Sequence, residues 1–172
     1  MAAQSWDPEP SGIEPGAFRH ALASLAAGVV VVTARRDGAP HAMTATAFCS
    51  VSLDPPLVLV SVSRTSRFHA TVLAAGRWAV SVLRDDQVEV ARHFSRPGRD
   101  LATQFDAVPH APAPVSGAPV ITGALVWLDC RTEAVHEAGD HTVVVGRVLA
   151  TGSDDLDGSG RPLTYYRSRY RT

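Results

Sequence analysis

At 172 residues, the chain has the length of a single domain with a hydrophobic core of its own. Its formal net charge of −1 provides no general attraction to nucleic acid or to an anionic membrane, so we expect neither as a partner. All 16 basic residues are arginines, and the absence of lysine excludes a Walker A phosphate loop and Schiff-base chemistry.

The N-terminal segment 1–14 is rich in proline, glycine and acidic residues, and it predicts a flexible arm ahead of one domain over 15–172. It lacks the basic start and apolar run of a secretion signal, and no apolar stretch approaches membrane-spanning length, so we expect a cytoplasmic protein. The two cysteines, Cys49 and Cys130, are far apart and predict neither a disulfide nor a metal site. We expect both to pack as small buried residues.

Hydrophobic periodicity predicts about six strands and two or three short helices. The helices are expected over 15–27, 66–75 and 87–94, with Pro15 in a first turn and Ser66 as an N-cap. Alternating or β-branched runs predict strands over 29–33, 43–53, 57–62, 78–83, 124–131 and 142–148.

The connections between these elements indicate the fold class. A turn at Arg36-Asp37-Gly38 joins the first two strands as a hairpin, and a turn around Gly139 joins the last two. Segment 95–119 has no period and is rich in proline and glycine, so it predicts a long irregular connection. Because hairpins predominate over βαβ units, the pattern favours a closed antiparallel barrel with peripheral helices.

Two neighbouring stretches suggest a ligand. In Thr44-Ala45-Thr46-Ala47, small side chains would let backbone N–H and C=O groups approach the edge of a heteroaromatic ring, although an ordinary edge strand has the same composition. The loop Ser63-Arg64-Thr65-Ser66-Arg67 is either a simple strand-to-helix turn or a phosphate site formed by Arg64 and the following helix N-terminus. A small-residue floor followed by an anion-binding loop suits a flat ring with a phosphate tail, so our hypothesis is a flavin site.

The remaining candidates are weaker. His141 in Gly139-Asp140-His141 lies either in an ordinary hairpin turn or at the barrel mouth, where its titratable ring would face a cleft. The other histidines lack metal-ligand spacing, so no metal is expected. Gly158-Ser159-Gly160 lacks the third glycine of a dinucleotide fingerprint, and no G-x-S-x-G elbow of a serine hydrolase is present.

Several motifs occur together in one order along the chain. They are Phe18-Arg19-x-Ala21-Leu22, Gly28 to Thr33, Met43 to Phe48, Ser50 to Val58, Ser63-Arg64-x-Ser66, Gln87…Ala91-x-x-Phe94, Gly139-Asp140-His141-Thr142, Gly146-Arg147-Val148 and Pro162-Leu163-x-Tyr165-Tyr166. In combination they resemble the flavin reductase family, the small reductase components of two-component flavin-dependent monooxygenases. The resemblance extends from Phe18 to Tyr170.

This resemblance implies a mainly β fold, an antiparallel FMN-binding split β-barrel with short peripheral helices, assembled as a homodimer with flavin near the subunit interface. It implies ring contacts from Thr44, Ala45, Thr46 and Ala47, and contacts to the ring and ribityl chain from Ser50, Val51 and Ser52. It places Ser61, Ser63, Arg64 and Ser66 at the ribityl or phosphate end. It associates His141, after Gly139 and Asp140, with the nicotinamide, and brings Tyr165 and Tyr166 to the site from the tail.

The function implied by the resemblance is NAD(P)H:flavin oxidoreductase activity, with hydride transfer from NADH to FMN or FAD and delivery of reduced flavin to a partner monooxygenase. NADH is favoured as the donor, with NADPH as the alternative. Two other readings remain open: a split-barrel flavoprotein that retains FMN and acts on its own substrate, and a non-catalytic flavin-binding module.

Overall fold

The computed structural model describes residues 12–155 and 158–172, so the predicted arm over 1–14 lies outside the described residues except at 12–14. The helices are α1 (Pro15–Ala23), α2 (Arg67–Ala75), α3 (Val88–Ser95) and a short 3-10 helix (Asp85–Gln87). The strands are β1 (Ala27–Gly28), β2 (Val30–Arg36), β3 (Ala39–Ala45), β4 (Phe48–Leu53), β5 (Pro56–Ser63), β6 (Arg77–Val82), β7 (His110–Pro112), β8 (Pro119–Ile121), β9 (Val126–Ala138), β10 (His141–Gly152), β11 (Thr164–Tyr166) and β12 (Arg169–Arg171).

Seven strands form one antiparallel sheet in the order β3-β2-β6-β9-β10-β5-β4. The strands β3 and β4 stand at opposite ends of this order, yet only Thr46 and Ala47 separate them in the chain. Three Cα steps of about 3.8 Å span at most about 11 Å. The sheet therefore curls until its two edges meet, and the predicted split antiparallel barrel with short helices is confirmed.

The interior of this barrel is filled by alternate residues of its strands. A buried cluster that includes Val32, Val60, Trp78 and Val144 occupies the centre. A second cluster, around Phe94, packs where α3 and the following segment cover the outside of the sheet. The strands point an apolar side chain inward at every second position. This is why the alternation of apolar and polar residues in the sequence predicted strands.

Several predicted boundaries differ from those of the structure, including the last two predicted strands, which extend to Ala138 and Gly152. The expected strand over 43–53 is two strands, β3 and β4, with a break at Thr46-Ala47. The first helix ends at Ala23, and Gly28 belongs to β1. Segment 95–119 is largely irregular as expected but contains β7 and the start of β8. The break at Thr46 was missed because its small residues continue the alternation on either side.

The two cysteines differ in environment. Cys130 is buried, and burial together with the neighbouring Asp129 raises its pKa to about 12. Cys49 is exposed on the edge strand β4, so the prediction that both are buried was wrong for this residue. No helix in the described part of the chain has both the length and the apolar character needed to cross a membrane.

We expect Gly146→Ala to destabilise the fold by about 1–3 kcal/mol through overpacking. The fully buried Trp78 ring lies against Gly146 on β10, and a Cβ there would sit 3.0 Å from Trp78 Cε2 and closer still to Cζ2. Urea unfolding measures the change. The matched control is Gly28→Ala, where a Cβ would meet nothing within 4 Å and should change stability little. Equal stability of both variants would contradict this packing account.

Candidate functional site

A cavity of about 630 Å³ opens beside the break between β3 and β4. One wall is β3 with the segment Thr44–Ala47, called here the ribbon. A second part of the lining comes from the end of β5 and the start of α2, and a third comes from segment 94–99, at the end of α3 and just after it. The lining residues are His41, Met43, Thr44, Ala45, Thr46, Ala47, Ser61, Ser63, Thr65, Ser66, Arg67, Phe68, Phe94, Ser95, Arg96, Pro97, Gly98, Arg99 and His141.

The free edge of β3 faces this region. Its backbone is capped at two positions: Gln104 Nε2 donates to the Pro40 carbonyl at 3.0 Å, and Ala42 N–H donates to Gln104 Oε1 at 3.3 Å. The Ala42 carbonyl accepts from Arg99. Backbone groups alternate in direction along an antiparallel strand, so those of Thr44 point the same way as those of Ala42.

The edge is open at Thr44. Neither its N–H nor its C=O has a hydrogen-bond partner among residues 12–155 and 158–172. The Thr44 hydroxyl is already used, since it donates to the Ala91 carbonyl at 2.7 Å. One donor and one acceptor therefore remain available at the edge of a fixed strand, next to the small residues Ala45 and Ala47.

Arg99 holds segment 94–99 against β3. Its guanidinium donates to the carbonyls of Phe94 at 2.8 Å and Arg96 at 3.1 Å, to Gln104 Oε1 at 3.4 Å, and to the Ala42 carbonyl. Four of the five N–H donors of an arginine are thus used within the chain. Arg99 is a structural clamp that forms the cavity wall, and one of its N–H groups has no partner among residues 12–155 and 158–172.

Arg67, at the start of α2, is differently placed. Within the described residues it makes one hydrogen bond, from Nη2 to the Arg99 carbonyl at 2.8 Å, and its other donors are free. Ser66 caps the same helix by accepting from Phe68 N–H at 3.1 Å, which confirms the predicted N-cap. Within the part of the chain that the structure describes, no aspartate or glutamate lines the cavity, so the charge of Arg67 is available to an anion.

His41, on the same side of the cavity, does not add to this positive charge at neutral pH. Burial, and then the nearby cations Arg99 and Arg67, lower the pKa of His41 to about 4. Its Nδ1 lies 3.0 Å from Thr71 Oγ1 and its ring packs edge-on against Phe68. The arginines alone therefore make this wall cationic at pH 7.

His141 also lines the cavity, at the start of β10 and in register with Ser63. Its Nδ1 is 2.7 Å from Asp140 Oδ1, and this hydrogen bond is the main cause that lowers the pKa of Asp140. Asp140 therefore orients the ring from outside the cavity. No group of three or more His, Cys, Asp or Glu side chains within the described ranges is placed to hold a metal ion.

The structure brings eight of the sixteen sequence-predicted site residues to this cavity: Thr44, Ala45, Thr46, Ala47, Ser61, Ser63, Ser66 and His141. Tyr165 and Tyr166 line adjacent cavities that share part of the ribbon. The residues outside these cavities are Ser50, Val51, Ser52, Arg64, Gly139 and Asp140.

Arg64 is the notable exception among these residues. Its Nη1 lies 3.7 Å from Glu137 Oε2, on the outer side of the loop, while Arg67 faces the cavity. The sequence analysis did not single out Arg67, Arg99 or His41. Arg67 was present in the predicted loop and could have been chosen, whereas Arg99 lies in a segment with no period and carried no local signal.

Comparison with known proteins supplies the family. The flavin reductase like domain matches residues 22–172. The chain belongs to the flavin reductase-like family. Among solved structures, it is similar to the NADH:FAD oxidoreductase SgcE6 of Streptomyces globisporus C-1027 in complex with NAD and FAD fragments, with a TM-score of 0.85, 34% identity, and coverage of 95% of this chain and 96% of that one.

Two curated relatives of this flavin reductase-like chain extend the comparison. It is 40% identical over 156 residues to the reductase component of 4-hydroxyphenylacetate 3-monooxygenase from Thermus thermophilus, covering 90% of this chain and 94% of the relative. It is 42% identical over 148 residues to the stachydrine N-demethylase reductase subunit Stc3 of Rhizobium meliloti, covering 86% of this chain. That match spans only 63% of the length of Stc3.

Proposed function

We propose that this protein is an NAD(P)H:flavin oxidoreductase that takes a hydride from NADH, reduces FMN or FAD, and supplies the reduced flavin to a partner monooxygenase. The observation that carries the proposal is the open backbone edge at Thr44, on a cavity that is lined by Arg67 and, among the residues that the structure describes, by no carboxylate. The names of the relatives support it, since SgcE6 is an NADH:FAD oxidoreductase and the Thermus protein is a monooxygenase component.

The residues present fit a flavin. The pyrimidine edge of a flavin carries N–H and C=O groups side by side, which complement the free C=O and N–H of Thr44. Ala45, Thr46 and Ala47 are small enough to let a flat ring approach the strand. These contacts would be made to the flavin ring, which FMN and FAD share.

Arg67, which also lines the cavity, would hold the phosphate. Its free N–H donors suit a phosphate oxygen, and the hydroxyls of Ser63 and Thr65, which lie 3.0 Å from each other, stand in the same loop. Arg64, which the resemblance implies for this role, is engaged near Glu137 on the outer side. We therefore assign the phosphate contact to Arg67.

When both cofactors are bound, they supply the redox chemistry: a hydride leaves the reduced nicotinamide and is accepted by the flavin, giving NAD⁺ and reduced flavin. The chain supplies alignment and exclusion of water, and no side-chain acid or base is required. Asp140 fixes the His141 ring at the cavity mouth, so we assign His141 to positioning the nicotinamide. The clamp formed by Arg99 keeps the facing wall in place.

Anaerobic mixing with NADH tests this function directly. We expect the flavin absorbance near its visible maximum to bleach with catalytic amounts of protein, and free FMN or FAD to behave as a saturable substrate in steady state. Bleaching without any dependence on added flavin would favour a flavoprotein that retains FMN. Binding of flavin with no bleaching by NADH or NADPH would favour a non-catalytic module, and the proposed function would be wrong.

Arg67→Gln should weaken FMN binding by about tenfold, because a charge-assisted contact to phosphate contributes roughly 1.5–3 kcal/mol. Flavin fluorescence titration gives the Kd, and riboflavin, which lacks the phosphate, should bind both proteins equally. Arg64→Gln is the matched control in the same loop and should leave the FMN Kd unchanged. If Arg64→Gln were the variant that weakened binding, the phosphate would belong to Arg64 instead.

His141→Ala should raise the KM for NADH several-fold and leave the flavin Kd near its wild-type value, since the flavin contacts are assigned to the Thr44 backbone and Arg67 rather than to this ring. Stopped-flow reduction at varied NADH and a flavin titration measure the two quantities separately. His136→Ala, on the exposed part of β9, is the control and should change neither. A raised flavin Kd with an unchanged KM for NADH would show that His141 does not position the nicotinamide.

We also propose a cytoplasmic homodimer. Helix α1 buries no residue within its own chain, and Phe18 and Leu22 remain 53% and 51% exposed. Such an apolar helix face supports burial against a second subunit. The unpaired thiols of Cys49 and Cys130 are compatible with a reducing compartment. Analytical ultracentrifugation of the wild type tests the dimer by its mass.

A further inference from the structure

His41 is a buried polar side chain that lines the cavity beside the ribbon. It is only 5% exposed. One side of its ring is fixed: Nδ1 lies 3.0 Å from Thr71 Oγ1, and the ring packs edge-on against Phe68 with the ring centroids 5.4 Å apart. The other ring nitrogen, Nε2, has no hydrogen-bond partner among residues 12–155 and 158–172.

This unpartnered nitrogen opens into the cavity. Side-chain nitrogens and oxygens that are inaccessible and lack a partner within the described ranges occur on five other residues, namely Trp78, Arg84, Asp129, Thr132 and Arg147. His41 Nε2 is not among them, so it reaches accessible surface, and the cavity is the surface that His41 lines. A polar atom on a buried side chain is normally completed by a hydrogen-bond partner, so Nε2 indicates a place for a ligand.

The contact with Thr71 decides which nitrogen of the ring carries the proton. Thr71 is buried on α2, and its hydroxyl has no other partner in the described part of the chain. A hydroxyl that only accepted from Nδ1 would leave its own proton unpaired, so the hydroxyl donates and Nδ1 accepts. With its pKa lowered to about 4, the ring is neutral at pH 7. Its single proton is therefore on Nε2, which is a donor at the cavity.

The charged neighbours of His41 indicate what this donor would bind. Arg67 and Arg99 are close enough for their charges to lower the pKa of His41. Arg99 is engaged in its clamp, whereas Arg67 keeps free donors at the same cavity. Among the described residues, no carboxylate in the lining competes for them. A neutral N–H donor near an available guanidinium favours a negatively charged oxygen.

We propose that His41 Nε2–H donates a hydrogen bond to the flavin phosphate, beside the contact assigned to Arg67. The inference rests on the proposed function, which brings FMN or FAD to this cavity. Arg67 supplies the charge, and His41 fixes the place of one phosphate oxygen because its ring cannot turn without losing the bond to Thr71. The flavin ring, bound at the Thr44 backbone, gains nothing from His41.

Two substitutions of His41 separate this role from packing, because each preserves one end of the imidazole. In His41→Gln the amide reaches the place of Nε2 and retains a donor at the cavity, while in His41→Asn it reaches only the place of Nδ1. We expect His41→Asn to raise the Kd for FMN and for FAD about tenfold, and His41→Gln to stay within about twofold of the wild type. Riboflavin, which lacks the phosphate, should bind all three proteins equally. Flavin fluorescence titration measures each Kd.

Nitrogen-15 NMR of the wild type is a second measurement and needs no change at a buried position. We expect His41 to be protonated on Nε2, and the Nε2–H proton to shift downfield with FMN but not with riboflavin. The inference is overturned if Nδ1 carries the proton, if FMN leaves this resonance unmoved, if the two variants have equal Kd values for FMN, or if riboflavin binding weakens as much as FMN binding. These experiments need no turnover, so failure of the wild type to reduce flavin would refute the proposed function alone.

Discussion

The two-residue connection between β3 and β4 is the constraint on which the rest of the structure depends. It forces the two ends of a seven-stranded sheet to approach each other. The β2–β3 ladder ends at Ala45, whereas Ala47 still accepts from Ser61 N–H at 3.0 Å beside the β4–β5 ladder. A barrel closed by hydrogen bonds would leave no free edge. Here the closure is covalent at one point, so the edge of β3 stays free beside a cavity.

A free strand edge is normally covered, and most of this one is. Gln104 is fully buried and uses its amide on both Pro40 and Ala42, while Arg99 covers the Ala42 carbonyl. Both residues come from the irregular segment after α3, which explains why that segment is long and why it packs so closely. These side-chain hydrogen bonds to β3 stop before Thr44. The backbone groups of this edge that lack a partner among the described residues therefore lie at the cavity.

Strands and helices with a regular hydrophobic period were predictable from the sequence. Site residues in segments without such a period were not. The inward side chains of the strands, the Ser66 cap and the left-handed Gly76 that ends α2 each carry a local signal that does not depend on the rest of the chain. The choice between Arg64 and Arg67 depends on which way the loop turns, and Glu137 on a distant strand stands near Arg64. Arg99 and Gln104 matter only because β3 is an edge strand, a property of the whole sheet that local patterns do not contain.

Charged side chains are unevenly distributed around the ribbon. Among the described residues, the cavity beside the ribbon and its neighbour against the β11–β12 hairpin are lined by arginines and by no carboxylate, although the chain has 17 acidic residues and a net charge of −1. Within the described residues the acidic partners stand outside these cavities, as Glu137 does for Arg64 and Glu89 does for Arg92. A protein with almost no net charge thus keeps a local positive field around one strand. Such a field favours phosphate-bearing ligands, and the open backbone at Thr44 suits those whose ring carries N–H and C=O groups at its edge.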